Sequence, residues 1–207
     1  MNPMFFFKLV LAMDNVENGY ERISACAGSG KTKLMADRVT YLVKECGIEP
    51  RRIVVFSFTL VAASEARQRL LAAGIEGVRV TTMHSFCGFA VAGLRVCGVD
   101  LGASFASSKA SVIPDVVRAC QHPEAFEALT SDFDYLCVDE AQDNDPQQHA
   151  LCQLLLQRVP LAGAMAVGDP NQSIFGFCGA DPALFERFFH GLRPAPEREM
   201  ALHWRCP

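Results

Sequence analysis

Ala25-Cys26-Ala27-Gly28-Ser29-Gly30-Lys31-Thr32 is the stretch on which the fold turns. It follows a short apolar run, Ile23 to Cys26, and opens a helical pattern from Lys33 to Lys44. Strand, glycine turn and helix in that order are what a phosphate-binding P-loop needs. Gly28 and Gly30 let the backbone wrap close to a phosphate with no Cβ in the way. The backbone N–H groups and the helix N-terminus then face the anion with partial positive charge. In such a loop Lys31 reaches the β- and γ-phosphates and the Thr32 hydroxyl ligates Mg²⁺. The full pattern has Gly at its first position, where this chain has Ala25. A Gly-Ser loop before an ordinary helix is the alternative. Gly-Ser-Gly-Lys-Thr ahead of an amphipathic run rarely arises by chance, which favours the nucleotide reading for residues 25 to 32.

Downstream, elements alternate. Residues 33 to 45 carry a helical apolar stripe of Leu34, Met35, Val39, Leu42 and Val43. Arg52 to Phe58 is a β-branched and aromatic run of the kind buried in parallel sheets. Residues 61 to 73 form a second helix, Val78 to Thr82 a third strand and His84 to Val96 a third helix. Residues 98 to 131 are broken by Gly, Ser and Pro and read as an insertion, with a helical piece near Asp115 to Gln121. Asp134 to Asp139 is a strand, Gln147 to Val159 a helix and Ala164 to Gly168 a strand. Pro182 to Phe189 is a helix, and Met200 to Trp204 is the expected last strand. Strands alternating with helices predict an α/β fold, a doubly wound parallel sheet of the P-loop NTPase kind covered on both faces.

Composition sets limits. The chain has 207 residues, half of them apolar, enough for one sizeable core. Its net charge of −4 gives no global attraction to nucleic acid, so any such binding must come from a local groove. The nine cysteines include no Cys-x-x-Cys pair. Their spacing fits neither a zinc site nor a disulfide framework, and all are read as free, with Cys26, Cys137 and Cys152 as buried thiols. Free thiols and a nucleotide site fit an intracellular setting, cytoplasm or nucleoid/nucleus. The run from Pro3 to Met13 is too short to span a bilayer and lacks signal-peptide features. It is expected to be a helix beside the nucleotide site.

Two further clusters lie at expected strand ends, where the ligands of doubly wound sheets bind. In Asp139-Glu140-Ala141-Gln142-Asp143, three acids in five residues repel one another, and a bound cation relieves that cost. Asp139 is expected to hold Mg²⁺, and Glu140 to orient and deprotonate the attacking water. In Gly168-Asp169-Pro170-Asn171-Gln172, a Gln suits a γ-phosphate or water contact, although the run is also a good turn. Aromatics recur at the strand exits: Phe58, Phe86, Phe89, Phe175, Phe177 and Trp204. Such rings can stack the bases of a single strand, and each taken singly can equally be core. His84 and Ser85 are the expected polar pair on this face.

The order of motifs resembles the N-terminal RecA-like domain of superfamily 1 helicases of the UvrD/Rep type. Residues 25 to 32 look like their Walker A loop, and Phe-Ser-Phe-Thr-Leu-Val-Ala-Ala (56 to 63) is similar to their TFTNKAA motif. Thr-Met-His-Ser-Phe-Cys (82 to 87) is similar to their THSF element and Asp-Glu-Ala-Gln-Asp (139 to 143) to their Walker B box. Residues 167 to 180 are close to VGDxxQSIYxFRGA, and Leu-His-Trp-Arg-Cys-Pro (202 to 207) is similar to LxxNYRS. The resemblance covers most of residues 20 to 207. It implies ATP-driven translocation on single-stranded DNA, with ATP and Mg²⁺ as cofactors. By motif position Glu140, Gln172 and Arg205 serve hydrolysis, Trp204 sits near the base or ribose, and Phe58, Thr59, His84, Phe175 and Phe177 line the DNA path.

The same resemblance divides the chain into an N-terminal segment, 1–19, and a RecA-like domain, 20–207, with a reduced insertion at about 98–131. It implies that the second RecA-like domain, with its own arginine finger, lies outside these residues and that a partner chain or domain completes the site. Leu60-Val61 replace the family's Asn-Lys, Cys178 replaces its Arg, and no Gln precedes Gln68 to read adenine. A non-motor module that binds nucleotide or a single strand through a partner protein is the rival reading. A P-loop phosphotransferase is a third, disfavoured because Glu140 suits water activation.

Overall fold

The computed structural model describes residues 19–26, 28–96, 108–157, 163–173, 179–190 and 197–200. Six parallel strands form one sheet in the order β3-β2-β4-β5-β1-β6. The strands are β1 (Gly19–Ala25), β2 (Ile53–Phe56), β3 (Arg79–Thr81), β4 (Tyr135–Val138), β5 (Gly163–Gly168) and β6 (Glu197–Met200). The helices are α1 (Lys31–Lys44), α2 (Leu60–Ala72), α3 (Met83–Val96), α4 (Lys109–Ala119), α5 (Pro123–Thr130), α6 (Pro146–Leu156) and α7 (Pro182–Glu186).

Strand alternation divides the apolar side chains between two cores. Val54, Phe56, Leu136, Val138, Ala164 and Ala166 face one side, against α3 to α7. Ile53, Val55, Tyr135, Cys137, Met165 and Val167 face the other, against α1 and α2. The register places like with like: Val54 opposite Leu136 and Leu136 opposite Ala164, then Val55 opposite Cys137 and Cys137 opposite Met165. Each fully buried Val, Leu, Ile or Phe contributes about 1.5–3 kcal/mol. A sheet covered on both faces therefore rests on continuous apolar strands, which is why these strands were easy to read.

Arg38 anchors α1 from within this second core. It is 1% exposed, its Nε donates to the Tyr135 hydroxyl at 3.3 Å, and its guanidinium lies 3.9 Å from Glu21. The helix that carries the glycine loop is thereby tied to β4 and β1.

Several expectations change. Residues 108 to 130 are two regular helices, and α4 starts at Lys109 rather than near Asp115. Ser108 closes a capping box with Ser111, so serines that look like loop residues begin a helix. Pro114 lies inside α4, where buried Val112, Ile113 and Val116 hold the helix on the core. Pro123 starts α5, as proline does at a first helical position. Among the described residues the last strand is Glu197–Met200, paired with Arg22 to Ala25 of β1, and begins before Met200; the rest of the expected strand, 201 to 204, lies outside them. Phe86 packs edge-on to Phe56 with ring centroids 5.2 Å apart and is core. Cys137 and Cys152 are buried as expected, whereas Cys26 is only half-buried. The six described cysteines are unbridged. The expected helix at Pro3 to Met13 lies outside the described residues. Among the described residues, no helix is long and apolar enough to cross a membrane.

Candidate nucleotide and strand site

The strands deliver their functional residues at their C-terminal ends. β1 runs into the glycine loop, in which Ala25 is buried and Cys26 half-buried; Ala27 lies outside the described residues. Gly28 has φ 73° and Gly30 φ 91°, a left-handed backbone that any Cβ would strain. Ser29 N–H donates to the Cys26 carbonyl at 3.2 Å and closes the turn. Gly30 is the N-cap of α1 and offers no side-chain acceptor. The first-turn N–H groups are thus left without a side-chain cap, the arrangement that favours an anion.

Lys31, the first residue of α1, is 7% exposed. Its Nζ donates to the Ala25 carbonyl at 3.4 Å and lies 3.3 Å from Glu140 Oε2. The neighbouring Thr32 Oγ1 donates to Asp139 Oδ2 at 3.4 Å, across the gap between α1 and the end of β4. Asp139 and Asp143 are buried, and both carboxyls are pushed up to about 6. Burial is the main cause and the Glu140 charge the second, partly offset by Lys31.

Glu140 is the one non-glycine residue at positive φ among the described residues, at φ 50° and ψ 45°. That conformation costs on the order of 1–2 kcal/mol and turns the chain sharply off β4. It aims the carboxylate back at Lys31.

Gln142 joins the two ends of the site. Its Nε2 donates to Glu140 Oε2 at 3.0 Å and Asp143 Oδ2 at 3.1 Å, and its Oε1 accepts from Asp169 N–H at 3.0 Å. Gln172 in turn donates to the Asp169 carboxylate. Glu140 at the end of β4 and Gln172 beyond β5 therefore share one hydrogen-bonded network. Gln142 lies within the acidic motif, whose pattern alone assigns it no role. The available signal was an amide, both donor and acceptor, placed among three acids.

The expected strand-facing residues lie beyond β2 and β3. Phe58 is half-buried; Thr59 is exposed and caps α2 by accepting from Ala62 N–H at 3.1 Å. His84, in the first turn of α3, is half-buried, and burial followed by the Lys109 charge lowers its pKa. Ser85 is engaged with Thr82, whose hydroxyl donates to Ser85 Oγ at 3.0 Å. Phe175, Phe177, Trp204 and Arg205 lie outside the described residues.

Thr32 and Asp139 offer the hard oxygen donors that Mg²⁺ prefers, with phosphate oxygens and water left to complete an octahedron. A divalent cation would also offset the burial and the Glu140 repulsion that together hold Asp139 near 6. The residues present fit that ion.

A six-stranded parallel sheet with a glycine loop, a lysine and a paired threonine and aspartate at its strand ends defines a RecA-like P-loop fold. The model of the UvrD/REP helicase N-terminal domain matches residues 11–96 and 105–192, and the chain belongs to that family. It is 24% identical over 252 aligned positions to a probable DNA helicase of Mycoplasma pneumoniae, covering 82% of this chain and 47% of that protein. It is also 24% identical to the ATP-dependent DNA helicase PcrA of Staphylococcus aureus, covering 77% of this chain and 32% of that one. The chain thus spans about half or less of the length of these relatives. Among solved structures, the Pif1 helicase of Candida albicans superposes with a TM-score of 0.52 at 15% identity. That match covers 94% of this chain and 39% of that protein, and it supports the fold.

Proposed function

We propose that this chain is the ATP-binding and ATP-hydrolysing domain of a superfamily 1 DNA helicase or single-stranded DNA translocase, completed by a second RecA-like domain. The observation that carries the reading is the convergence of Lys31, Thr32, Asp139 and Glu140 within 3.4 Å contacts at the ends of β1 and β4. The first-turn N–H groups of α1 and Lys31 bind the phosphates. Thr32 and Asp139 would hold Mg²⁺, which would supply charge neutralisation to the phosphates. Glu140 accepts the proton of the attacking water, and Gln142 holds Glu140 in place. Gln172 reports from the end of β5, and Trp204 and Arg205 complete the set by motif position. Phe58, Thr59 and His84, with Phe175 and Phe177, form this domain's share of the DNA path. Losing an arginine finger costs phosphoryl-transfer enzymes roughly 10³–10⁵ in rate, so these 207 residues alone are expected to hydrolyse ATP slowly or not at all.

Mg-ATP binding and turnover against protein concentration, with and without single-stranded DNA, test the reading, with Lys31→Ala as control. Mg-dependent binding that Lys31→Ala weakens by about 10–100-fold is the expected result, the loss of charge-assisted hydrogen bonds. Unchanged affinity in a folded Lys31→Ala protein sinks the assignment. Turnover rising faster than linearly with concentration means that two chains complete each other.

One observation favours the rival reading of a non-motor module. Leu60 and Val61, in place of the family's polar pair, are 70% and 79% exposed beside Thr59. Single-strand affinity indifferent to ATP is the result that selects it.

A further inference from the structure

Between the expected nucleotide and strand faces lies a small cavity at the ends of β2, β3 and β4. It is lined by Ser57, Asn144 and Asp139 on the nucleotide side and by Phe58 and His84 on the other. Its volume is about 10 Å³, room for about one water molecule. Two polar groups in this lining have no hydrogen-bond partner among the described residues. They are Ser57 Oγ and Asn144 Nδ2, on residues each 3% exposed. Buried polar groups are almost always paired, so two orphans on one cavity point to an occupant.

The donor set chooses it. Asn144 Nδ2 is a pure donor and repels a cation. The Asp139 carboxylate in the same lining repels an anion. A water accepts from the amide, donates to the carboxylate and exchanges either role with the hydroxyl, making the three bonds usual for a buried water. Asp139 has capacity to accept, since Oδ1 takes one N–H from Glu140 and Oδ2 one hydroxyl from Thr32.

We propose that Ser57 and Asn144 hold one buried water against Asp139, and that this link positions the Phe58–His84 face according to what occupies the nucleotide site. It rests on the nucleotide and strand assignments above. The backbone supports transmission: Asp139 N–H donates to the Phe56 carbonyl at 2.8 Å and Ser57 N–H to the Thr81 carbonyl at 3.0 Å. The exits of β2, β3 and β4 are therefore stitched together around the cavity. A carboxylate drawn toward Mg²⁺ changes the water's bonds, and the β2 exit that carries Ser57 and Phe58 moves with them. Ser57 and Asn144 are positioning residues and touch neither ligand.

The test is the ratio of affinities of a labelled oligo-dT for the 207-residue chain without and with the Mg²⁺ complex of a non-hydrolysable ATP analogue. Coupling on the order of 5–150-fold is usual between linked sites. Ser57→Ala and Asn144→Leu are expected to bring the ratio to within about twofold of one, below that range. Affinity for each ligand alone stays within the same twofold, and Ser57→Thr, which keeps the hydroxyl, retains the coupling. A ratio that persists in both folded variants overturns the proposal. Wild-type protein that binds both ligands without mutual effect overturns it and leaves the functional reading standing. Wild-type protein that binds no Mg-nucleotide overturns both. Should either variant fail to fold, a high-resolution crystal structure of the wild type decides. Density within hydrogen-bond distance of Ser57 Oγ and Asn144 Nδ2 supports the proposal, and an empty cavity ends it.

Discussion

Lys31 Nζ and Glu140 Oε2 lie 3.3 Å apart, so the loop lysine and the candidate general base neutralise one another before any phosphate arrives. An incoming phosphate competes with Glu140 for the lysine. Glu140→Gln removes the competing charge, and the glutamate side chain is 34% exposed, so the pair is worth roughly 1 kcal/mol. Mg-nucleotide is expected to bind about threefold to tenfold more tightly to Glu140→Gln by fluorescent-analogue titration. Turnover falls by about 10²–10⁴, the usual contribution of a general base. Weaker binding in the variant would show that the pair helps to build the phosphate site.

The buried acids make stability depend on pH. The Asp139 carboxyl sits near 6 in the folded chain, against 3.8 unperturbed, so between these values the folded state holds a proton that the unfolded state has released. Stability therefore falls as pH rises from about 4 through 6, by on the order of 2–3 kcal/mol from Asp139. Asp143, also near 6, acts in the same direction. Mg-nucleotide opposes this cost, so the gain in melting temperature on adding Mg-ADP is expected to be larger at pH 7.5 than at pH 5. Equal gains at both values would mean that neither carboxyl meets the ion.

Gln142 is 1% exposed and bonded to Glu140, Asp143 and the backbone of Asp169. Gln142→Ala leaves the buried Asp169 N–H unpaired and opens a cavity, at a cost of about 2–4 kcal/mol in urea unfolding. Gly168→Ala attacks the same point from the other side. Its Cβ would lie 2.5 Å from Gln142 Oε1 and 3.1 Å from the Phe185 ring. Overpacking of this kind costs about 1–3 kcal/mol, and turnover should drop with stability because Glu140 loses its support. An active Gly168→Ala protein would place the support elsewhere.

Arg38 offers a stability test remote from the phosphate loop. Arg38→Ala removes the guanidinium beside buried Glu21 and the Nε–H that donates to the Tyr135 hydroxyl. Breaking a buried pair from one side costs about 3–5 kcal/mol. Chemical denaturation measures this directly, and a loss under about 1 kcal/mol would mean that water reaches Glu21.

Much of this was legible in the chain itself. The central strands are continuous apolar runs, and the glycine loop, the acids after Val138 and the Gly168–Gln172 turn each announced a strand end. What escaped notice depends on partners far away in sequence. The polar run Glu197-Arg198-Glu199 becomes a strand because β1 offers it an edge. Pro123 opens a helix whose Ala125 and Leu129 enter a core built mainly by other elements. Gln142, Ser57 and Asn144 matter through contacts or a cavity shared with distant strand ends, and no local pattern marks such residues.

β1 is the first strand among the described residues, yet its neighbours in the sheet are β5 and β6: Gly19 pairs with Gly163, and Arg22 with Glu197. During synthesis the phosphate loop therefore emerges on a strand whose sheet neighbours, Gly163–Gly168 and Glu197–Met200, are made much later. Such distant pairing makes folding slow and late. A nascent chain stalled before β5 carries the full loop sequence without the strand that holds β1 in the sheet, so nucleotide binding reports that β5 has been added.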